Sequence, residues 1–535
     1  MIPFELEQFA ITANRIWQKA QEENRLTHNP SDEELRGLVG KQPGVRKTIY
    51  GNFVARSEPT SRSAMFTENS VDHPFGEDEL RLLEQCEKAL GKERLISIDR
   101  IVGNENSNTT VRLIVPERFA HVAYGGKNLF IPPKGEVKKP TYYILFFADE
   151  AFETNQSKPL TAKDITIRLA MLDDGRVVKI IRNSNYIGEH KKGVFAAEDW
   201  AAKTRKRGIF LHTGCREDYL QSAHGDYRMA RTLLVSLSAN GKTTTTCRIL
   251  ARKGKEKSWL IQDDGGTLTP DGSFHGFEAG GIFVKTEGVN PGEQTEIFYG
   301  LLKPETICEN VYVTEDGDFD FYNFERTSNG RAVVLRRDFM HASSYIDVGR
   351  IDNLILITRG PLIPAISKLT REQAAALMVL GQAMESSAGD PTQAGKIRSE
   401  FFYDPFVAGD LAEHANIFYE IIKGIPDLNY YLINTGGIGE GEHHKDIRLE
   451  FTMAILDSLL RGGLEDWLDS PTGFKVPRAI RYVDDIYLHP EKIYSTIEFE
   501  EKQRELNKIR YESVKELGDF LHPDISKVFS KPNVA

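Results

Sequence analysis

What the chain has little of narrows the field first. It has four cysteines, Cys86, Cys215, Cys247 and Cys308, far apart and with no CxxC pair. That spacing argues against disulfides or a zinc site and predicts reduced thiols. No apolar run reaches the about 18 residues a membrane span requires. The first ten residues, MIPFELEQFA, have acidic side chains where a secretory leader has basic ones. A cytoplasmic protein with no membrane partner is therefore expected. Positive charge does not predominate either: 68 Lys and Arg face 78 Asp and Glu, for a net charge of −10. Such a chain has little general attraction for nucleic acid. An anionic small-molecule substrate would need a local basic pocket that opposes the global charge. Internal repeats, low-complexity segments and a Ser/His/Asp or Cys/His nucleophile signature are all missing from the sequence.

What is present suits a large globular enzyme. The 535 residues, 40% of them hydrophobic, suffice for several domains or two large lobes with a cleft. Residues 1–50 read as mainly helical, with Ser31 before Asp32, Glu33 and Glu34 as an N-cap. Strands are expected at Val111–Val115, Tyr142–Phe147, Ile165–Met171, Gly281–Lys285, Ala332–Leu335 and Leu354–Thr358. Helical spacing marks Thr370–Ser387, Leu449–Leu460 and a charged stretch from about Ser495 to Leu521, read as a solvated helix on the surface.

The sharpest motif runs from Leu233 to Thr244, LLVSLSANGKTT: an apolar strand, a polar Gly/Thr turn, then a helix. Phosphate binding needs that order. The strand fixes the loop, successive backbone N–H groups face phosphate oxygens, Lys242 reaches the terminal phosphates and the Thr243 hydroxyl is a ligand for Mg²⁺. Ser236 stands where the full motif has its first glycine. The stretch Trp259–Asp264, WLIQDD, reads as a strand ending in paired carboxylates, the usual place for a metal-holding Asp beside a phosphate loop. Asp-Asp before Gly-Gly equally suits a surface turn.

These pieces, in this order, resemble the ATP-type phosphoenolpyruvate carboxykinases. SLSANGKTT and LIQDD are similar to that family's GLSGTGKTT and strand ending in Asp-Asp. Phe277–Thr286 (FEAGGIFVKT) and Glu309-Asn310-Val311 follow in the family's order. Upstream, Tyr186–Phe195 (YIGEHKKGVF) is similar to YGGEMKKGMF, His212 in GIFLHTG to the His of LPLHCSA, and Gly51–Ser57 (GNFVARS) to GxFTGRS. Downstream, Ser367–Gln373, Asp390–Thr392 and Ile433–Gly436 continue the likeness, which spans about residues 50 to 460.

The resemblance implies an α/β fold: a mixed α+β N-terminal lobe, a P-loop-containing mononucleotide-binding C-terminal lobe, and a cleft between the two. The expected segments are a substrate lobe at 1–225, a nucleotide lobe at 226–490 with a lid near 385–410, and a charged helical tail at 491–535. The resemblance further implies ATP as co-substrate and a Mn²⁺ or Mg²⁺ site of Lys192, His212, Asp264 and Thr243. A lysine ligand must be neutral, which the metal and the adjacent Lys191 would favour. Oxaloacetate or phosphoenolpyruvate would be held by Arg56, Tyr186, Lys192 and Arg331, with Arg62 an alternative to Arg56. The arginine fork suits carboxylate and phosphate. The nucleotide would be held by Ser238, Ala239, Asn240, Gly241, Lys242, Thr243, Thr244 and Arg331, and the catalytic set would be Lys191, Lys192, Lys242 and Arg331.

The chain departs from the family at Ser236 and Ala239, at Gly265, and in Gly436–Lys445, where the sequence does not place an adenine-stacking Arg; Arg448 is the candidate nearby. Those departures leave ATP, GTP and pyrophosphate open as donors. Two further readings stay beside the leading one: a kinase on the same fold acting on another small acid, and an inactive nucleotide sensor. Oligomeric state is not legible.

Overall fold

The computed structural model describes residues 5–58, 64–154, 164–237, 240–325, 329–384 and 396–530. Ser238, Ala239, Arg62, Asp390–Thr392 and the 385–395 part of the expected lid lie outside the described residues. The protein is mixed α/β. It divides into two compact units: Met1–Lys206 with Gly276–Ile346, and Arg207–His275 with Asp347–Ala535.

These units are discontinuous, unlike the consecutive segments read from the sequence, and strand pairing is the reason. Thr213–Gln221, expected in the N-terminal lobe, pairs antiparallel with both Tyr227–Ser236 and Lys257–Gln262 and so belongs to the second unit. Residues 276–346 carry Gly281–Lys285, Ile307–Glu309 and Arg331–Leu335. These form one sheet with Phe53–Ala55 and Arg46–Lys47, which places them in the first unit.

The first unit also holds a seven-stranded sheet. Its order is Leu26–His28, Leu95–Ile101, Thr110–Pro116, Tyr142–Phe147, Val177–Arg182, Thr166–Met171, Thr67–Asn69. Tyr142–Phe147 is apolar and buried at every position because both faces are covered. Helices Glu7–Glu22 and Glu77–Leu90 pack Phe9, Ile16, Leu82 and Leu83 against Tyr143, Leu145 and Phe147. On the alternate face Ile144 lies against Gly193 of helix Ile187–Thr204, where a Cβ would collide with it. The helix Asp32–Val39 begins as its sequence expects: Ser31 Oγ accepts from Glu34 N at 3.2 Å, and Glu34 Oε2 accepts from Ser31 N at 2.7 Å.

The second unit is built on an eight-stranded sheet. Its order is Lys257–Gln262, Thr213–Gln221, Tyr227–Ser236, Asn353–Thr358, Asn429–Asn434, Ile366–Leu369, Lys475–Pro477, Trp467–Asp469. The three central strands run parallel. Leu233, Val235, Leu354 and Leu356 point into one core with helices Arg371–Leu380 and Leu411–Lys423. Leu234, Ile355 and Ile357 point into the other core, with helix Leu449–Leu460. That two-sided burial explains the unbroken apolar run before the phosphate loop.

Two helices differ from their sequence expectation. The helix expected over Thr370–Ser387 spans Arg371–Leu380, because Gly381 takes φ +50° and the chain turns into strand Gln382–Met384. The C-terminal helix spans Thr496–Lys515. Its inner face, Phe499, Gln503, Arg510 and Val514, is buried, so it is a packed part of the second unit. No helix among the described residues is long and apolar enough to cross a membrane.

Candidate active site

In the second unit the phosphate-loop strand Tyr227–Ser236 lies mid-sheet, and Leu233, Leu234 and Val235 have no exposed surface. The chain leaves the sheet at Leu237, and Gly241 adopts φ +88°, a left-handed conformation that favours glycine. The following helix is one short segment, Lys242–Cys247. Thr245 Oγ1 donates to Gly241 O at 2.8 Å and Thr246 Oγ1 to Lys242 O at 2.8 Å. Arg216, itself held by Asp218, donates to Thr245 O at 2.6 Å and occupies one carbonyl the helix end leaves open. Thr435 Oγ1 donates to Asn240 O at 2.9 Å and ties the loop to the end of strand Asn429–Asn434. Thr243 and Thr244 are half-buried beside Lys242.

Lys242 is buried, and its Nζ contacts Asp264 Oδ1. The same Oδ1 lies 3.0 Å from His212 Nε2. Strand Lys257–Gln262 delivers Asp263 and Asp264, and His212 sits at the joint between strands Ile209–Leu211 and Thr213–Gln221. His212 Nδ1 lies 2.7 Å from the carbonyl of Tyr403. A carbonyl can only accept, so Nδ1 carries the proton. Nε2 faces Asp264 Oδ1, and a cation bound there would take the Nε2 lone pair in place of a proton. A carbonyl that orients a histidine for ligation in this way is the usual outer support of a metal site. The imidazole nitrogen, the Asp264 carboxylate and the adjacent Thr243 hydroxyl are donors suited to a divalent cation. Among the described residues there is no cluster of three or more His, Cys, Asp or Glu placed to hold a metal. The expected set includes a lysine and a threonine and would not form such a cluster.

In the first unit the helix Ile187–Thr204 carries the lysine pair, and its two lysines point to different partners. Lys192 Nζ lies 3.2 Å from Glu189 Oε1 and 5.2 Å from the centre of the Tyr186 ring. Lys191 is buried, 3.4 Å from Glu278 Oε1 and 5.2 Å from the Phe283 ring. The other Glu189 oxygen accepts from buried Lys179 at 2.7 Å. Burial pulls Lys179 below its ordinary pKa, against the attraction of Glu189. Arg331 stands opposite Lys285 and Glu309 in sheet register and donates to Glu287 Oε1 at 2.9 Å. Burial pushes the Tyr186 phenol above its ordinary value, against the pull of nearby Arg331 and Lys192. Tyr186, Lys192 and Arg331 thus form one local cationic cluster.

Arg56 belongs to a neighbouring segment. Its side chain is 54% exposed and pairs with Glu58 at 3.2 Å, while its backbone is pinned by Asn185 and the next residue by Asn310. Arg448 is exposed, lies over the Phe451 ring, and precedes helix Leu449–Leu460.

Sequence reasoning quoted Glu189 and Glu309 inside motifs but gave them no role. Glu309 is fully buried, and its Oε1 accepts from Ile187 N at 2.8 Å. Burial raises its pKa to about 8. An acid that precedes an Asn with φ +60°, as Asn310 has, is a weak sequence signal. The Tyr403 carbonyl has no sequence signal at all.

Comparison with known proteins agrees with this arrangement of motifs. The profile of the family described as phosphoenolpyruvate carboxykinase matches residues 49–486. A phosphoenolpyruvate carboxykinase (ATP) of Aeropyrum pernix is 30% identical over 479 residues, covering 87% of this chain and 89% of that protein. Proteins of the same name from Chelativorans sp. and Wigglesworthia glossinidia brevipalpis are each 25% identical, covering 91% and 90% of this chain and 87% and 86% of their own lengths. With the profile covering most of its length, the chain belongs to the phosphoenolpyruvate carboxykinase family of carboxy-lyase and phosphotransferase enzymes, in its ATP-type branch.

Proposed function

We propose that this protein converts oxaloacetate and ATP to phosphoenolpyruvate, ADP and CO₂ in the cytoplasm, with Mn²⁺ or Mg²⁺ as cofactor. The observation that carries the reading is the meeting of the phosphate-loop lysine and a carbonyl-oriented histidine on one carboxylate oxygen, Asp264 Oδ1. A phosphoryl-transfer site needs a phosphate cradle and a cation position side by side, and these three residues supply both.

In the second unit the backbone of Asn240–Thr244 cradles the polyphosphate, Lys242 neutralises its terminal oxygens, and His212, Asp264 and Thr243 hold the cation. When bound, that ion supplies positive charge to oxygens that become more negative during the reaction. In the first unit Arg56, Tyr186, Lys192 and Arg331 bind the dicarboxylate, with Lys192 also an amine donor and Lys191 adding positive charge. The C–C bond to the departing carboxylate breaks, CO₂ leaves, and the electron pair remains as an enolate. The enolate oxygen then bonds to the γ-phosphorus as the bond from that phosphorus to ADP breaks. Lys242 balances charge on the transferring group. No protein nucleophile takes part, in keeping with the missing nucleophile signature.

Turnover of oxaloacetate with ATP, GTP and pyrophosphate, each with Mn²⁺, tests the reading in wild type and Lys192→Ala. Turnover with ATP that collapses in the variant is expected. A wild type inactive with every donor overturns it.

A further inference from the structure

The described residues that line a cavity of about 270 Å³ all belong to the second unit, and none belongs to the phosphate loop. Its lining is largely apolar and includes Leu362, Ile363, Leu377, Leu432 and Ile509. Arg510 of the C-terminal helix, which is 3% exposed, is among the residues that line it. The Arg510 Nε is buried and has no hydrogen-bond acceptor, and no carboxylate pairs with the guanidinium among the described residues. Its close neighbour is the Phe529 ring, at 5.3 Å. Of the other charged residues that line it, Lys502 is held by Glu440 at 2.6 Å, Glu505 is exposed, and Arg359 is a second guanidinium on the wall. Burial pulls the Arg510 pKa down to about 10, still well above neutral, and the Tyr403 phenol opposes that pull. The group is therefore charged.

A buried guanidinium without an anion is costly, and an aromatic face compensates for it in part. A protein that keeps such a charge at the wall of an apolar cavity has an arrangement suited to a ligand with a negative head and an apolar body. We propose that this cavity is a second small-molecule site, separate from the phosphate loop, that binds an organic anion: a carboxylate or phosphate monoester whose head pairs with Arg510 and whose apolar portion fills the space among Leu362, Leu377 and Leu432.

The walls give such a ligand a connection to the candidate active site. Tyr403 lines the cavity, and its carbonyl orients His212. Thr358 lines it too; its carbonyl accepts from Thr435 N at 3.0 Å, and Thr435 Oγ1 holds Asn240 O. The site itself stands on the cavity and the buried charge, so its test reads binding rather than turnover and is independent of the reaction proposed above.

The full-length chain is titrated calorimetrically with hexanoate, hexyl phosphate, hexan-1-ol and hexylamine. Hexanoate or hexyl phosphate, or both, should bind at least tenfold tighter than the alcohol and the amine, and their ranking identifies the preferred head. Arg510→Met should erase the preference for anions over hexan-1-ol. Leu506→Trp, which fills the cavity and leaves Arg510 in place, should block all four probes. Both variants are checked for folding by circular dichroism. Lys242→Met, which alters the phosphate loop, should leave hexanoate binding unchanged. Equal binding of hexan-1-ol and the anions to wild type overturns the proposal. So does anion binding that survives both cavity variants, or that is lost in Lys242→Met and kept in Arg510→Met.

Discussion

His212 Nε2 stands 3.0 Å from Asp264 Oδ1, an oxygen that Lys242 Nζ also contacts. Three elements distant in sequence thus place an imidazole nitrogen, a carboxylate and an ammonium at one point. Removing the histidine leaves the other two in place. His212→Ala is therefore expected to fold normally and to bind Mn²⁺ at least about tenfold more weakly, the scale seen when a ligand's support is lost. Electron paramagnetic resonance titration of free Mn²⁺ reads this directly.

Lys242→Met keeps the bulk of the side chain and removes its charge. Because Lys242 is buried against Asp264, water does not readily replace that charge. Turnover with ATP should fall about 10²- to 10³-fold, the scale for losing one preorganised electrostatic contact. A coupled steady-state assay checks it, and a loss below tenfold would remove Lys242 from the phosphate-binding set.

Glu309 gives stability a pH dependence with a definite sign. Its pKa rises from 4.5 to about 8 on folding because burial disfavours the ionised form. Above the unfolded value, the folded state holds a proton that the unfolded state has released. Stability from this group is fully present below about pH 4.5 and is lost as pH rises toward 8. Glu309→Gln keeps the Oε1 acceptor for Ile187 N and cannot ionise. Urea denaturation at pH 5 and pH 8.5 should show wild type losing more stability than the variant between the two, by an amount on the order of a few kcal/mol.

The four cysteines are buried, and burial raises the thiols of Cys86, Cys215 and Cys308 above their ordinary range. A thiol that is neither exposed nor ionised is a poor nucleophile. Native protein should react with a disulfide reagent at less than one thiol per chain over minutes, and at four after denaturation. Rapid native labelling would show opening that the packed cores do not suggest.

Gly381 is expected to resist substitution. It ends helix Arg371–Leu380 at φ +50°, and a Cβ there would run into the carbonyl oxygen of Glu400. Both strain and collision then act on the turn that leads to Tyr403. Gly381→Ala should lower stability by about 2 kcal/mol or more, measurable by thermal denaturation.

Much of this protein is legible along the chain because its signals are local. The apolar run 233–235, the turn at Gly241 and the Lys after it encode a strand, a left-handed turn and a buried cation within a dozen residues. The N-cap at Ser31 is equally local and appears as expected, with Glu34 closing it into a capping box. Local pattern failed at Thr370–Ser387, where helical spacing continued past a glycine whose conformation ended the helix.

Tertiary structure alone decided the rest. Strand pairing, not chain order, drew Gly276–Ile346 into the first unit and Thr213–Gln221 into the second. The Tyr403 carbonyl came to His212 across 191 residues, and backbone oxygens are the same in every residue, so no sequence marks them. Arg510 reads as one charge in a charged helix; that it is buried beside an apolar cavity follows from which face of the helix meets the core. Composition and local spacing determine which groups a chain possesses, but distances among them depend on packing between segments that the sequence keeps apart.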